Sequence, residues 1–208
     1  MSVTSGESHE QEIVVVSGLP RSGTSLMMRI LQFAGYELLV DHLRSNDQFN
    51  PHGYFEFEPV KNLKSGDTAW LQEAQGKVVK IVSPLLQFLP SSYRYRVVFM
   101  QRDLGEVLAS QAKMLAGRQK PSTPQQDQQM KMVFQDHLSR VSDWLNRQPN
   151  MQTLPLHYNL LVIEPELALS DLAHFLGRPL DTTQMRKAID PQLYRNRQGL
   201  PQIIPGLS

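Results

Sequence analysis

The sequence predicts an α/β fold of three layers, in which helices cover both faces of a mostly parallel central sheet. The first observation behind this prediction is a set of short runs rich in β-branched residues, which is the composition of strands buried on both faces. The second is that segments with a helical spacing of apolar residues separate these runs, which is the order of βαβ units. The predicted strands cover residues 13–17, 78–82, 96–100 and 152–157.

The predicted helices alternate with these strands. Apolar residues recur at helical spacing from 26 to 34, and Gly35 supplies a stop. Residues 118–129 are polar and broken by prolines, which predicts a mobile loop. Because parallel strands end at one edge of their sheet, we expect a ligand site at that edge. Further helices are predicted at 60–75, 104–115, 133–145 and 165–176, with coil over 190–208.

Composition is that of an ordinary globular protein. Of the 208 residues, 40% are hydrophobic and 20% are charged, which predicts one domain over residues 1–208 with a disordered segment at 1–11. The net charge of +1 gives no global field that would attract nucleic acid, so an anion site has to be local.

Several classes of site are excluded or not expected. The chain has no cysteine, which excludes disulfides, thiolate metal sites and cysteine nucleophiles. It has no H-E-x-x-H motif and no acidic calcium loop, so we expect no metal site. The first dozen residues lack the features of a signal peptide, and no apolar run approaches the roughly 20 residues that span a bilayer. We therefore expect a cytoplasmic protein without an integral membrane segment.

A glycine loop follows the first predicted strand. Its spacing is that of the phosphate-binding motif G-x-x-x-x-G-K-[ST], between a strand and a helix as that motif requires. Thr24 stands where enzymes that bind nucleoside triphosphates have lysine, and the positive charge lies instead at Arg21. The helix that begins here adds partial positive charge toward a bound anion. The residues predicted to hold the phosphate are Gly18, Pro20, Arg21, Ser22, Gly23, Thr24 and Ser25.

A second phosphate site is predicted at the end of the third strand. Arg102 lies at the strand tip, where a guanidinium can grip a phosphate with two hydrogen bonds, and Ser110 on the next helix can donate another. The alternative for Arg102 is an ion pair with its neighbour Asp103 or with Glu106, one turn on. Two separate phosphate sites are what a 3′,5′-bisphosphate requires.

These two segments resemble the nucleotide-binding elements of the sulfotransferases that use 3′-phosphoadenosine-5′-phosphosulfate (PAPS). The run Pro-Arg-Ser-Gly-Thr-Ser at 20–25 resembles their 5′-phosphosulfate loop, and Arg102 and Ser110 keep the eight-residue spacing of their 3′-phosphate element. The resemblance implies that PAPS is the donor, that adenosine 3′,5′-bisphosphate (PAP) is the product, and that no metal is needed. It also implies that Arg21 stabilises the leaving phosphate.

Two weaker matches extend the resemblance over most of the chain. Tyr158 would lie near the adenine, although Asn159 and Leu160 replace the acidic pair of the family in that segment. Arg197 and Gly199 resemble the turn that closes over the 3′-phosphate, with Arg195 as the alternative register. The other interpretation of this last segment is a solvated basic tail.

The catalytic residues are harder to assign from the sequence. Lys80 matches a family lysine that could contact the sulfuryl oxygens or simply end a strand, but Val82 replaces the histidine that serves as base in cytosolic members. The aromatic and acidic run at 54–58 offers other bases, and Glu56 is favoured over Glu58 and His52. If the run is extended, the side chains of 54, 56 and 58 share one side and those of 55 and 57 the other.

Three hypotheses about function stay open at this point. The first is transfer of a sulfuryl group from PAPS to a hydroxyl or amine of a small molecule, saccharide, lipid or peptide. The second is a P-loop kinase or nucleotidase, against which Thr24 speaks. The third is a relative that binds nucleotide without catalysis. The acceptor should contact residues 41–75 and 118–132, and the oligomeric state is not encoded in any pattern.

Overall fold

A computed structural model describes residues 12–41, 43–47, 49–117 and 122–190 of the chain. The predicted disordered segment 1–11, most of the predicted coil at 190–208 and part of the predicted loop at 118–129 lie outside the described residues.

The central sheet contains four parallel strands in the order β2-β1-β3-β4, which confirms the predicted α/β class. The strands β1 and β3 in its middle are buried along their whole length, as their β-branched sequences predicted. β4 forms one edge and carries Pro155, a residue that edge strands tolerate. The bounds are Ile13–Gly18 for β1, Val78–Lys80 for β2, Tyr95–Gln101 for β3 and Met151–His157 for β4.

Helices cover both faces of the sheet and complete the three layers. Val14 and Val16 face a core shared with α1, α4, α5 and α6, while Ile13 and Val15 face a core shared with α3 and three 3₁₀ segments. The helices are α1 (Thr24–Phe33), α2 (Leu104–Gly117), α3 (Pro124–Leu145), α4 (Tyr158–Ile163), α5 (Pro165–Leu176) and α6 (Thr182–Arg186).

The prediction of one helix over residues 60–75 is wrong. The structure has two 3₁₀ segments there, Glu58–Ser65 and Ala69–Gln72. Gly66 ends the first segment in the left-handed conformation with a φ of 85°, which an α-helix cannot continue through.

The loop predicted over 118–129 is also wrong in its second half, because α3 already begins at Pro124. Thr123 and Gln126 form a capping box, in which Oγ1 of Thr123 accepts from the backbone N–H of Gln126 and the Gln126 side chain accepts from that of Thr123. Pro124 at the first helical position supports the same start. The fixed φ of proline suits a helix, and proline has no backbone N–H that would need a partner there.

The carboxyl ends of the strands meet at one edge, as predicted. Gly18 pairs with Met100 between β1 and β3, and Gln101 pairs with His157 between β3 and β4. From β1 the chain crosses to β2 on one side and then to β3 on the other, so the order of strands reverses between β1 and β3. Ligands of open α/β sheets bind at such a reversal. Within the described ranges, no helix combines the length and apolarity needed to cross a bilayer.

Candidate active site

The loop between β1 and α1 depends on two glycines. Gly18 has a φ of 144°, and a Cβ there would lie 2.6 Å from the carbonyl oxygen of Met100. Gly23 has a φ of 103°, and a Cβ there would lie 2.4 Å from Cδ2 of Tyr158. Both positions therefore exclude other residues on conformation and on space. The two glycines let the loop lie flat on the end of β3 and against Tyr158.

The start of α1 offers hydrogen-bond donors next to the loop. In the part of the chain that the structure describes, no side chain caps α1, and the first N–H groups of an α-helix have no intrahelical partner. Oγ of Ser22 is buried and, among the residues that the structure describes, has no hydrogen-bond partner. An anion in front of the loop could accept from the N–H groups of α1, whereas the Ser22 hydroxyl is buried away from that side.

Arg21 reaches out of the loop across the edge of the sheet. Its backbone has a φ of 75°, which is unusual outside glycine. Nε of Arg21 donates to Oγ of Ser110 (2.9 Å), and Nη2 donates to the carbonyl oxygen of Phe49 (3.0 Å). Burial lowers the pKa of Arg21, but a guanidinium stays charged at any physiological pH. Arg21 thus links the loop directly to the predicted 3′-phosphate serine.

Arg102 is held by contacts on several sides. Its Nε donates to Oε2 of Glu106 (2.9 Å), and its Nη1 donates to the carbonyl oxygen of Arg21 (3.2 Å). Its Cζ lies 4.2 Å from the centre of the Tyr158 ring, a cation–π contact. The ion pair with Glu106, one alternative from the sequence, is therefore formed. Arg102 nevertheless lines the cavity described next.

One cavity of about 430 Å³ brings most of the predicted site residues together. Its walls come from the glycine loop, from the ends of β2 and β3, from α2, from Arg44 and from the segment at 49–56. The predicted site residues that line it are Pro20, Arg21, Gly23, Thr24, Ser25, Glu56, Lys80, Arg102, Ser110 and Tyr158. Gly18 and Ser22 shape the loop from behind without lining the cavity. Arg197 and Gly199 lie outside the described residues.

Lys80 lies at the carboxyl end of β2 and lines the same cavity. Its Nζ donates to the carbonyl oxygen of Tyr54. Burial lowers the pKa of Lys80 to about 8, against the weaker opposing effect of the Glu56 carboxylate. A bound anion would stabilise the charged form of this buried lysine.

The run at 54–58 is not a regular extended strand. Phe55 has a φ of 51°, which breaks the alternation of sides. As a result Phe55 packs against the core on one face of the sheet and Phe57 against the core on the other, so the extended run that would place them on one side is not formed.

The three candidate bases differ in position. Glu56 lines the cavity and accepts from Nη1 of Arg44 (2.8 Å). His52 lines it too, and burial lowers the pKa of its imidazole. Glu58 is exposed, pairs with Lys61 (2.7 Å) and lines neither this cavity nor its neighbour.

A second cavity of about 420 Å³ adjoins the first. The two share five lining residues, and the remaining wall of the second comes from Gln32, Val40, Asp41, Ser45, Asn46, Gly53 and Phe55. The shared residues are Arg44, Pro51, His52, Tyr54 and Glu56.

Two contacts between the glycine loop and the segment before Pro51 were missed by the sequence reasoning. Nδ2 of Asn50 donates to Oγ of Ser25 (2.9 Å), and the Phe49 carbonyl accepts from Arg21. Asp47 fixes this segment by accepting from the backbone N–H groups of Phe49 and Asn50 and from the Tyr54 hydroxyl. Asn50 and Pro51 are of types common in turns, but nothing in the sequence indicated that Ser25 was the partner.

The fold and the cavity define a protein of the P-loop type, with a glycine loop at the reversal point of a parallel sheet. A family model described as the sulfotransferase domain matches residues 11–202. The chain therefore belongs to the sulfotransferase family, which the resemblance of the two predicted phosphate-binding segments indicated. No curated protein matches the sequence.

Solved structures agree on the fold at low sequence identity. The sulfotransferase domain of the Synechococcus PCC 7002 olefin synthase is 14% identical with a TM-score of 0.50, over 93% of this chain and 90% of that one. Mouse sulfotransferase SULT7A1, complexed with PAP, is 14% identical with a TM-score of 0.52, over 86% of this chain. This chain spans 62% of the length of the mouse protein.

Proposed function

We propose that this sulfotransferase takes the sulfuryl group of PAPS and transfers it to a hydroxyl or amine of an acceptor that enters beside residues 44–56. The observation that carries the proposal is that two independently predicted phosphate sites, at the glycine loop and at Arg102 with Ser110, line a single cavity of about 430 Å³. A nucleotide with phosphates at its 5′ and 3′ positions needs two anion sites on one cavity, whereas a triphosphate needs one extended site.

The 5′-phosphosulfate would lie on the glycine loop. Gly18 and Gly23 leave room for the loop to surround an anion, and the N–H groups at the start of α1 supply donors. Arg21 adds a full charge at the same place. Its two hydrogen bonds to Ser110 and to the Phe49 carbonyl hold the guanidinium at the cavity wall.

The 3′-phosphate would lie between Arg102 and Ser110, on the other side of Arg21. Tyr158, buried under Gly23 and beside Arg102, supports both sites at once and would border the adenosine. Arg197 and Gly199, predicted to close over this phosphate, remain predictions.

The chemistry assigned to the side chains follows from their charges. The acceptor oxygen or nitrogen bonds to sulfur as the bond from sulfur to the 5′-phosphate oxygen breaks, and the acceptor proton passes to a base. Arg21 and the amino end of α1 stabilise the charge that returns to the leaving phosphate. Lys80 contacts the sulfuryl oxygens. Glu56 accepts the proton, with His52 as the alternative base on the same wall.

The second cavity supports this position for the acceptor, because it meets the first at Glu56 and His52. The acceptor would occupy it and present its nucleophile at the junction. A small molecule, a saccharide, the head of a lipid and a peptide side chain all stay within the proposal.

Calorimetric titration with PAP, and separately with ATP and Mg²⁺, tests the donor assignment. We expect PAP to bind with micromolar affinity and ATP to bind far more weakly. Binding of ATP and not PAP would contradict the proposal and favour a kinase or nucleotidase. If neither nucleotide binds, the loop is degenerate and the proposal fails.

Replacement of the candidate bases tests the catalytic assignment once an acceptor has been found by screening with radiolabelled PAPS. We expect Glu56→Gln to lower kcat by about 10²- to 10⁴-fold, the usual contribution of a general base, with PAP affinity retained. Glu58→Gln is the matched control, since Glu58 lines neither cavity, and its kcat should be unchanged. If Glu56→Gln keeps full kcat and His52→Ala loses it, the base is His52.

A further inference from the structure

We propose that Glu106 is the residue that makes the site selective for a 3′-phosphate, by orienting the guanidinium of Arg102. The inference rests on the proposed donor site. In the sequence analysis Glu106 appeared only as an ion-pair partner that Arg102 could have instead of a phosphate. Glu106 touches no nucleotide in this scheme and is a positioning residue.

The contacts of Glu106 divide between its two carboxylate oxygens. Oε2 accepts from Nε of Arg102 (2.9 Å), and Oε1 accepts from Nδ2 of Asn159 at the start of α4 (3.1 Å). The carboxylate is fully buried, and Asn159 is buried with it. The backbone N–H of Glu106 donates to Oδ1 of Asp103 (3.0 Å), which fixes the first turn of α2. The carboxylate thus has a position set by two helices.

This arrangement fixes the orientation of the Arg102 guanidinium. The Nε edge faces Glu106, one face lies on the Tyr158 ring, and Nη1 reaches the carbonyl oxygen of Arg21. An arginine gives two parallel hydrogen bonds to a phosphate only if its plane is aligned with the phosphate oxygens. An arginine without these supports would have to lose side-chain freedom on binding, which weakens binding.

A buried carboxylate beside a phosphate site needs a reason of this kind. Its negative charge opposes the binding of an anion, and burial of an ion pair carries a large desolvation cost. Orientation of Arg102 supplies the reason. Asn159 stands where the resemblance led us to expect an acid, and its amide donates to Glu106, as a carboxylate could not. The replacement of the acidic pair is therefore consistent with a single buried acid at Glu106.

The test compares PAP with adenosine 5′-monophosphate, which lacks only the 3′-phosphate. Dissociation constants for both are measured by calorimetry on the full chain and on Glu106→Gln. We expect the unaltered protein to prefer PAP. Glu106→Gln should lower PAP affinity about tenfold, the order expected for a hydrogen bond to a charged group, and leave affinity for the monophosphate unchanged. A purely structural role would lower both affinities together.

Two further variants show whether Glu106 acts through Arg102. In the double variant Arg102→Ala with Glu106→Gln, PAP affinity should equal that of Arg102→Ala alone, because residues that act as one unit are not additive. Glu12→Gln is the matched control, since it also removes a buried carboxylate from an Arg–Glu pair, here one that lines neither cavity. It should leave the ratio of the two affinities unchanged.

The outcomes separate the inference from the proposed function. If the unaltered protein does not prefer PAP, the donor site itself is wrong and the inference falls with it. If it prefers PAP and Glu106→Gln keeps that preference, or Glu12→Gln loses it equally, the inference alone is overturned. Should Glu106→Gln fail to fold by thermal unfolding, Asn159→Ala removes the other hydrogen bond of the carboxylate and must show a smaller loss of the same selectivity.

Discussion

The two ends of β3 carry two buried Arg–Glu pairs with different surroundings. At the amino end, Arg96 pairs with Glu12, and their side chains are 10% and 11% exposed. Just past the carboxyl end, Arg102 pairs with Glu106, at 8% and 0%. By burial and chemistry the pairs are nearly equal. Arg96, however, donates to the carbonyl oxygen of Phe175 and packs on its ring, so it joins β3 to α5.

The pair at the carboxyl end faces a cavity, and the pair at the amino end does not. Arg102 lines the cavity together with Arg21, Ser110 and Lys80, whereas Arg96 lines neither of the two cavities described above. The difference follows from the direction of the strands. In an open parallel sheet, the crevice in which ligands bind lies outside the carboxyl ends of the strands. The same kind of ion pair therefore joins two elements at the amino end of β3, whereas at the carboxyl end its arginine lines a cavity.

Replacing each arginine separately can break this comparison directly. We expect Arg102→Ala to lower PAP affinity by about 10- to 100-fold, from the loss of charged hydrogen bonds to the phosphate. Arg96→Ala should instead lower the free energy of unfolding by about 3–5 kcal/mol, because it leaves the Glu12 carboxylate buried without its arginine. Calorimetry and urea denaturation measure the two effects. Loss of PAP binding in folded Arg96→Ala would show that the two ends are not distinct in function.

A substitution in the glycine loop sharpens the comparison at the carboxyl end. Gly23→Ala should destabilise the protein by several kcal/mol and abolish PAP binding, because its Cβ would meet Tyr158 at 2.4 Å in a left-handed backbone conformation. Gly66→Ala is the control: its φ is also positive, at 85°, but a Cβ there would meet nothing within 4 Å. It should cost only about 1 kcal/mol, the conformational term alone. Equal destabilisation of the two variants in thermal unfolding would mean that Tyr158 does not restrict the loop.

The pKa values of the two lysines at the ends of β2 are shifted in opposite directions, and we expect a smaller effect from them. A hydrogen bond with Glu37 raises the pKa of Lys77, which precedes β2, whereas burial lowers that of Lys80 to about 8. Because Lys80 loses its charge above pH 8, we expect affinity for PAPS to fall as the pH rises through that value. Lys80→Arg, which stays charged, should remove this dependence, and Lys77→Met should retain it. A flat profile in the unaltered protein would exclude contact between Lys80 and the donor.

The same pKa has a consequence for stability whose sign can be checked. Lys80 in the unfolded chain has its ordinary pKa of 10.5, so the unfolded chain binds more protons than the folded one between about pH 8 and 10.5. This group therefore makes the free energy of unfolding increase with pH across that window. Urea denaturation of the unaltered protein and Lys80→Met at pH values inside and below it isolates the contribution.

The sequence was sufficient to predict those features of the structure that depend on residues close together in the chain. β-branched runs located β1, β2 and β3, and the motif from Gly18 to Ser25 located the loop because its geometry depends on adjacent residues. It was insufficient for partners far apart in the chain. Glu106 and Asn159 are 53 positions apart, and no local pattern shows that a glutamate on α2 is fully buried against the first turn of α4.

The errors in secondary structure have local causes that the sequence did contain. The Thr123–Gln126 capping box, with Pro124 between them, marks the start of α3, but the polar composition of the first turns concealed it. Gly66 marks the end of a 3₁₀ segment inside what was predicted as one helix. The left-handed conformation of Phe55 had no such signal, since an aromatic residue rarely adopts it.

The most direct test of the account is a crystal structure of the complex with PAP. We predict that the 5′-phosphate lies on the backbone N–H groups at the start of α1 beside Arg21, and that the 3′-phosphate contacts Arg102 and Ser110, with the Arg102–Glu106 pair intact. A nucleotide bound elsewhere, or bound here with its 3′-phosphate directed away from Arg102, would contradict the assignment of the carboxyl end of β3 as the donor site.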